Sequence, residues 1–486
     1  MIDSPPREPK YFRMLCIILL VSSFALSFTF YYVFFVAVTP LFSQFAPRPQ
    51  INDQEPSSPP TLPDFVISTI RNTAYHVIVW ATSEEFLRFF LMLSLTIVFL
   101  NELSYIPLGW LHRHVSEKFR SRPLTKHLPI SIVIPAYNEE RTISYVIETL
   151  LEADYPNKQV IAVNDGSTDH TMEEIVPYAL QGKVQLINRP NGGKAAALNT
   201  GLLVANGDIV VVIDADGAIE RNALKWIASQ FEDPNVIAVS GNPKVGNRDA
   251  NILTRVQALD YVRGINLRRR AFDLLNVLDC IPGSIGAFRT TVYQEIGRYD
   301  IDTLVEDMDA TLKFVKTGGV VRQESRAIVY TEAPETLRGF IRQRLRWYAG
   351  GIQAVYKHRD HWWRFGALSF VGFPYLVAGM TIAPVFELLL VALSIVQVLA
   401  GMWFVQVLYW SSIAAVDVAF SVIAVLLDKE DWRLILYSPI YALVYRHFND
   451  LIRLKSYWDL ARGRLNWRGT RAERQGGLES KIRIQT

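Results

Sequence analysis

Two aspartates one residue apart, Asp214 and Asp216, close the apolar run Ile-Val-Val-Val-Ile at residues 209–213 and precede Gly217. Aspartates supply hard oxygen ligands, and a pair beside a small residue suits a divalent cation, Mg2+ or Mn2+, carrying a diphosphate. Along an extended chain residues i and i+2 project to the same side, so the spacing predicts that both carboxylates converge on one site. The competing reading is a strand-to-loop turn with solvated aspartates. A second candidate, Asn191-Gly192-Gly193-Lys194, precedes a helix-forming run. Its glycines permit close backbone approach and its lysine offers a point charge to phosphate. A glycine-bearing turn with a surface lysine has the same local sequence. The chain has no P-loop lysine motif and no Gly-x-Gly-x-x-Gly, which disfavours a Rossmann dinucleotide site.

The elements that must hold these residues are legible between Pro129 and about Ala333. Strands are expected at 130–135, 160–163, 184–187, 209–213 and 236–239, with helical segments at 141–152, 170–178 and 194–204. Strand–helix alternation predicts a mostly parallel sheet with helices on both faces. The first strand runs into Pro135-Ala136-Tyr137-Asn138-Glu139, the second into Asn164-Asp165-Gly-Ser-Thr-Asp169, and the fourth into the aspartate pair. Polar, turn-forming residues thus gather on one sheet edge, the expected ligand crevice.

Half of the 486 residues (50%) are apolar and 20% are charged, a balance shifted toward the membrane, while a net charge of +3 gives no argument for nucleic acid. Cys16 lies in an apolar run and Cys280 far from it, so neither a disulfide nor a zinc site is expected. After a cytoplasmic N-terminus at 1–13, residues 14–38 carry no charge and are long enough to span a bilayer as an uncleaved helix. A Pro-rich extracytoplasmic loop at 39–85 leads to a second span at 86–110, weakened by Arg88, Asn101 and Glu102. The basic cluster that follows should stay cytoplasmic, ahead of a domain at 111–333. Residues 334–378 read as interfacial amphipathic helices, with a short interfacial piece around 369–376, and 379–427 as two further spans. Residues 428–454 read as a further membrane or re-entrant helix, because Arg446, His447, Asn449 and Asp450 make the segment amphipathic, and 455–486 as a basic cytoplasmic tail. Basic flanks at both ends favour four crossings, with catalytic domain and termini on the cytoplasmic side.

In this order, Pro135-Ala-Tyr-Asn-Glu139, Asn164-Asp165-Gly-Ser-Thr-Asp169, Gly192-Gly-Lys194, Asp214-Ala-Asp216, Glu306-Asp307 and Gln343-Arg-Leu-Arg346-Trp347 resemble family-2 glycosyltransferases over about residues 129–357. Gln-x-x-Arg-Trp marks the membrane-embedded processive synthases of cellulose, chitin, hyaluronan and poly-N-acetylglucosamine. Gly241-Asn-Pro-Lys244, Pro282-Gly-Ser-Ile-Gly-Ala-Phe288 and Pro384-Val-Phe-Glu387 look closest to the bacterial poly-N-acetylglucosamine group. The resemblance implies an α/β GT-A-like cytoplasmic glycosyltransferase domain inserted between transmembrane helices of a multi-pass inner-membrane protein. It implies that Pro135, Ala136, Tyr137 and Glu139 shape a nucleotide pocket and that Asp165 contacts uracil or ribose. Lys194, Asp214 and Asp216 would hold the donor, Asp216 with the metal, and Asp307 would be the catalytic base. Gly283, Ser284, Glu306, Gln343, Arg346 and Trp347 would serve diphosphate and acceptor. The implied partners are UDP-N-acetylglucosamine or another UDP-sugar, the growing polysaccharide and the bilayer. A small membrane accessory subunit is a further candidate, and nucleic acid is not expected.

Elementary chemistry agrees. A diphosphate leaving group needs cationic donors, an acceptor hydroxyl needs a carboxylate base, and an indole offers a flat platform to a sugar face. One base and no second nucleophile fit a single in-line displacement that turns an α-linked donor into a β-linked product. Glu306-Asp307 also reads as a helix start, since acids favour the first turn, and Trp347 as an interfacial anchor. The Phe-x-Val-Thr-x-Lys gating sequence and the regulatory domain of cellulose synthases are absent, which disfavours cellulose. Trp467-Arg-Gly-Thr-Arg471 faintly resembles a tail motif of chitin and hyaluronan synthases. The rival readings are therefore a hyaluronan- or chitin-type synthase, a non-processive transferase adding one sugar to a lipid acceptor, and a scaffold with a degenerate transferase domain. The complete carboxylate set argues against the last. Asn101, Glu102, Glu387 and Asp417 are costly in lipid and should face a polar path or one another, with a polymer leaving past Trp347 between the helices of 86–108 and 366–427.

Overall fold

The computed structural model describes residues 105–116, 124–363 and 366–463, with Ser83, Phe86 and Phe89. The expected span at 14–38, the Pro-rich loop apart from Ser83, most of the span at 86–110 with Asn101 and Glu102, and the tail beyond Gly463 with Trp467–Arg471 lie outside the described residues.

Helix α1 (Tyr105–Val115) leads into the domain. The domain then runs β1 (Ile130–Ala136), α2 (Ile143–Glu152), β2 (Lys158–Asp165), α3 (Thr171–Leu180), β3 (Gln185–Arg189), α4 (Lys194–Leu202) and β4 (Ile209–Val212). It continues through β5 (Ala218–Ile219), α5 (Ala223–Gln230), β6 (Val236–Val245), α6 (Ile252–Asp260), a π-helical turn (Tyr261–Leu267), α7 (Arg268–Leu275), β7 (Gly286–Arg289), α8 (Thr290–Ile296), α9 (Glu306–Lys316) and β8 (Val320–Thr331). The strands form one sheet in the order β3-β2-β1-β4-β7-β6-β8-β5.

The half from β3 to β4 is parallel, as the alternation predicts. In the other half β6 and β8 also pair in parallel, as the mostly parallel expectation requires, while β7 runs antiparallel to both β4 and β6, and β5 antiparallel to β8. Both faces of the central strands are covered, so their sequences are continuous Val/Ile runs rather than alternating ones. Ile130, Ile132, Ile134, Ile209 and Val211 pack on one face with Val146 and Leu150 of α2 and Leu224 of α5. Val133, Ile161, Val210 and Val212 pack on the other with Leu198 of α4 and Leu312 and Phe314 of α9.

After the domain come α10 (Leu337–Lys357), α11 (Leu368–Leu399), α12 (Trp403–Asp428) and α13 (Arg446–Ala461). Thr336 caps α10 by accepting from the Gly339 amide at 3.1 Å. Among the described residues, α11 and α12 are the two helices long and apolar enough to cross a membrane. At 1.5 Å per residue, α11 is about 48 Å long, well beyond a hydrocarbon core. The piece expected at 369–376 is the first part of α11 and not a separate interfacial helix. The segment expected at 434–451 begins in a 3-10 turn (Trp432–Tyr437) and is helical from Ser438 into α13.

The membrane-type helices are joined to the domain by charge as well as by apolar packing. Arg263 pairs with Asp417 of α12, and Arg270 donates to Asp428 at its end at 2.5 Å. Phe420, Ala424 and Val425 of α12 pack in one cluster with Val256, Leu259 and Val262. Arg446 of α13 lies 3.2 Å from Glu387 of α11 and 3.6 Å from Asp417. The two acids inside the expected spans thus meet arginines, which removes the cost of an isolated charge there.

Candidate active site

The ends of β1, β2 and β4 deliver the first wall of the site. Asp165, the last residue of β2, accepts from the amides of Gly192 at 3.0 Å and Gly193 at 2.8 Å, and from Arg189 at 2.6 Å. It therefore fastens the loop that carries Lys194. Gly166 follows at φ +68°, and a Cβ there would stand 2.6 Å from the Asn191 amide nitrogen, so the close approach of the two loops requires glycine. At the end of β1, Glu139 is buried, and its amide donates to Thr171 Oγ1 at 2.7 Å.

The aspartate pair converges for a different reason from the one its spacing suggests. Strand β4 ends at Val212, and the chain then turns, with the Gly217 amide donating to the Asp214 carbonyl at 2.8 Å. Both carboxylates reach the cavity from this turn and not from an extended strand. Thr331, the last residue of β8, donates to Asp216 Oδ2 at 3.0 Å and fixes that side chain.

Lys194, the first residue of α4, lies 2.7 Å from Asp214 and 2.8 Å from Glu306. Burial works against its charge, but the fields of Asp214, Glu306 and Asp307 outweigh it and raise the ammonium pKa. A Cβ at its neighbour Gly283 would stand 2.4 Å from Lys194 Nζ, so a larger residue there would displace the end of that side chain. The Gly283 amide donates to Asp307 Oδ2 at 3.3 Å and the Met308 amide to Asp307 Oδ1 at 2.8 Å. Burial first, and then the Glu306 carboxylate, raise the Asp307 pKa against the opposing pull of Lys194 and Arg346. Glu306 and Asp307 do open α9, so the helix-start reading is correct and compatible with a place in the site.

Gln343, Arg346 and Trp347 share one face of α10 through their three- and four-residue spacing. The Arg344 guanidinium lies 4.5 Å from the Trp347 ring centre and donates to Asp260 and to the Tyr445 hydroxyl, each at 2.8 Å. Asp309 of α9, 3.0 Å from His358 and 3.3 Å from Lys357, ties the helix bearing Asp307 to the end of α10.

The strand-end loops, the start of α9 and one face of α10 border one cavity of about 490 Å³. The residues to which the resemblance gives a role at donor, metal or acceptor are on its wall: Pro135, Ala136, Tyr137, Glu139, Asp165, Lys194, Asp214, Asp216, Gly283, Ser284, Glu306, Asp307, Gln343, Arg346 and Trp347. The same cavity continues to Glu387 of α11, Phe420 of α12 and Arg446, Asp450 and Arg453 of α13.

Residues 131–297 match the family model described as glycosyl transferase family 2. The chain carries a family-2 glycosyltransferase domain. Asp307 and the Gln343-x-x-Arg346-Trp347 motif lie beyond the matched residues. Over 235 residues, 48% of this chain, the sequence is 32% identical to a poly-beta-1,6-N-acetyl-D-glucosamine synthase of Staphylococcus epidermidis, and it covers 56% of that protein. Over 228 residues, 46% of this chain, it is 32% identical to the synthase of the same name from Staphylococcus aureus strain COL, covering 55% of it. The chain thus spans little more than half the length of the curated relatives it matches. Among solved structures, a mannosyltransferase of Pyrobaculum calidifontis in complex with GDP-Man and Mn2+ aligns with TM-score 0.55 and 20% identity, covering 76% of this chain and 99% of that one. This likeness establishes a shared fold.

The transferase domain also contributes wall residues that carried no local signal: Arg263, Arg268, Arg269, Asp279, Glu332 and Glu335. They come from a helix and from loops outside the strand-end motifs. The one available hint was three consecutive arginines, 268–270, between apolar segments.

Proposed function

We propose that the protein is a processive inverting glycosyltransferase that polymerises a β-linked, poly-N-acetylglucosamine-like polysaccharide from a UDP-sugar and passes it across the membrane that α11 and α12 cross. The carrying observation is the single cavity that joins the strand-end carboxylates, Asp307 and Trp347 to the membrane-type helices. The 32% identity to two synthases of that name supports the choice of polymer.

In this reading the strand-end loops hold the nucleotide, with Tyr137 and Asp165 at its base and ribose and Lys194 at its phosphates. Asp214 and Asp216 present carboxylate oxygens to the same space, and the Lys194 ammonium already sits between Asp214 and Glu306, so the donor set suits a cation. Mg2+ or Mn2+ held by Asp216 and Asp214 would offset the charge of the diphosphate leaving group. Asp307 takes the proton of the acceptor hydroxyl as that oxygen attacks the anomeric carbon and the nucleoside diphosphate departs from the opposite face. Its raised pKa makes it a stronger base than an exposed aspartate. The Cys280 thiol, pushed up by burial and then by Asp307, stays protonated, in keeping with a displacement that needs no enzyme nucleophile. Gln343 and Arg346 close over the diphosphate, and Trp347 supports the acceptor sugar.

The test is incubation of the purified protein in nanodiscs with a panel of nucleotide sugars and Mg2+ or Mn2+. A β-linked ladder from one UDP-sugar is expected. Addition of a single sugar to a lipid would replace this reading with the non-processive one, and release of nucleotide without any glycan product would overturn both.

A further inference from the structure

Arg268, Arg269 and Arg270 open α7 directly after the π-helical turn. Two of the three have carboxylate partners: Arg268 meets Asp279 at 2.8 Å and Arg270 meets Asp428 at 2.5 Å. Arg269 stands between them with 5% of its surface exposed. Its Nε and Nη1 have no hydrogen-bond partner among the described residues, and it forms no ion pair there. A buried guanidinium does not escape this by losing its proton, and an unpaired buried charge is strongly unfavourable. Arg269 lines the cavity, so a ligand there can meet its guanidinium and offset the unpaired buried charge.

The wall around Arg269 indicates which ligand. Asp279 and Asp307 are the carboxylates whose fields reach it, against that of the neighbouring Arg268. Leu376, Gly379 and Met380 of α11 border the same cavity. The cationic side chain that meets the carboxylate turn after β4 is a different one, Lys194. Tyr261, Gly264, Ile265, Arg268 and Arg269, spaced three and four residues apart along the π-helical turn and the start of α7, all reach the cavity.

We propose that Arg269 binds the acceptor saccharide, its guanidinium donating to sugar oxygens in the cavity. The proposal rests on the glycosyltransferase reading. A diphosphate offers the same oxygen-acceptor chemistry, so the test separates the two sources.

Full-length Arg269→Gln and Arg269→Lys proteins in nanodiscs are compared with the wild type, using UDP as the donor-site probe and a short β-linked N-acetylglucosamine oligosaccharide as acceptor. Arg269→Gln should raise the KM for the oligosaccharide about tenfold or more, the loss of a charged hydrogen bond, with kcat and the UDP Kd within about twofold of wild type. Arg269→Lys should recover part of the loss, and it carries the same comparison if the Gln variant misfolds. The Gln variant without ligand should melt no lower than the wild type, because it sheds an unpartnered charge. A UDP Kd weakened tenfold with an unchanged acceptor KM would assign Arg269 to the diphosphate and overturn the proposal. Unchanged values of both would leave Arg269 a framework residue and also overturn it. Failure of the underlying reading appears separately, as a wild-type protein that transfers no sugar.

Discussion

Asp307→Asn preserves the shape of the side chain and removes its charge, so it isolates the base. Loss of a general base costs about 10²–10⁴-fold in turnover, or about 3–5 kcal/mol. Nucleotide affinity should move by less than about threefold, because a base acts in the transition state and Lys194 keeps Asp214 at 2.7 Å and Glu306 at 2.8 Å. Burial and Glu306 raise the Asp307 pKa, so the active carboxylate form appears only as pH rises through a value above the ordinary aspartate range. Wild-type turnover should therefore fall on acidification earlier than an exposed aspartate would require, and the variant should lack that limb. The sign for stability is opposite to that of a salt-bridged aspartate. A raised folded-state pKa means that ionised Asp307 disfavours the folded state at neutral pH, a penalty absent below the unfolded pKa. Asp307→Asn should consequently melt at or above the wild-type temperature at pH 7 and level with it in acid. Single-turnover transfer, UDP binding and thermal melts across pH give all three quantities. Normal turnover at saturating donor, combined with weakened UDP binding, would refute the assignment of Asp307 as the base.

Three further outcomes follow from the site. Transfer should stop in excess chelator and return with Mg2+ or Mn2+, and Asp216→Asn should abolish it; unchanged activity in chelator would remove the metal from the mechanism. Gly283→Ala should weaken UDP-sugar affinity about tenfold or more by driving Lys194 from its place, since the new Cβ would stand 2.4 Å from Nζ; isothermal titration measures this, and an unaltered Kd would show that Lys194 does not serve the donor. Trp347→Ala should shorten the product while donor hydrolysis persists, and full-length polymer from that variant would exclude the indole as the acceptor platform.

The parallel half of the sheet was legible because strands buried on both faces must be continuous Val/Ile runs, and β1, β2 and β4 are. The mixed half was not. Strand β5 has only two residues, β7 reads Gly-Ala-Phe-Arg, and β8 places buried Gln323 and Glu324 within its run, so none of them shows the expected period. The aspartate pair was found by residue type, while the geometry proposed for it was wrong: a turn at Asp214–Gly217 brings the two together. Motifs at strand ends are local and survive in a sequence. Arg269 and Asp279 reach the cavity from the start of α7 and from the loop beyond it, where no strand-end motif marks them. Arg446, His447, Asn449 and Asp450 read as the polar side of an amphipathic membrane or re-entrant helix, and in the structure Arg446, Asp450 and Arg453 line the cavity. A polar helix face can be turned inward when it borders a polar path.

The continuity of that cavity from Asp307 to α11, α12 and α13 is tested most directly in sealed inside-out vesicles holding the full-length protein. UDP-sugar supplied from outside should yield β-linked polymer inside the vesicles, protected from added glycosidase until detergent is introduced. Polymer that is wholly digestible without detergent, or a product of one added sugar, would contradict a path through the membrane helices.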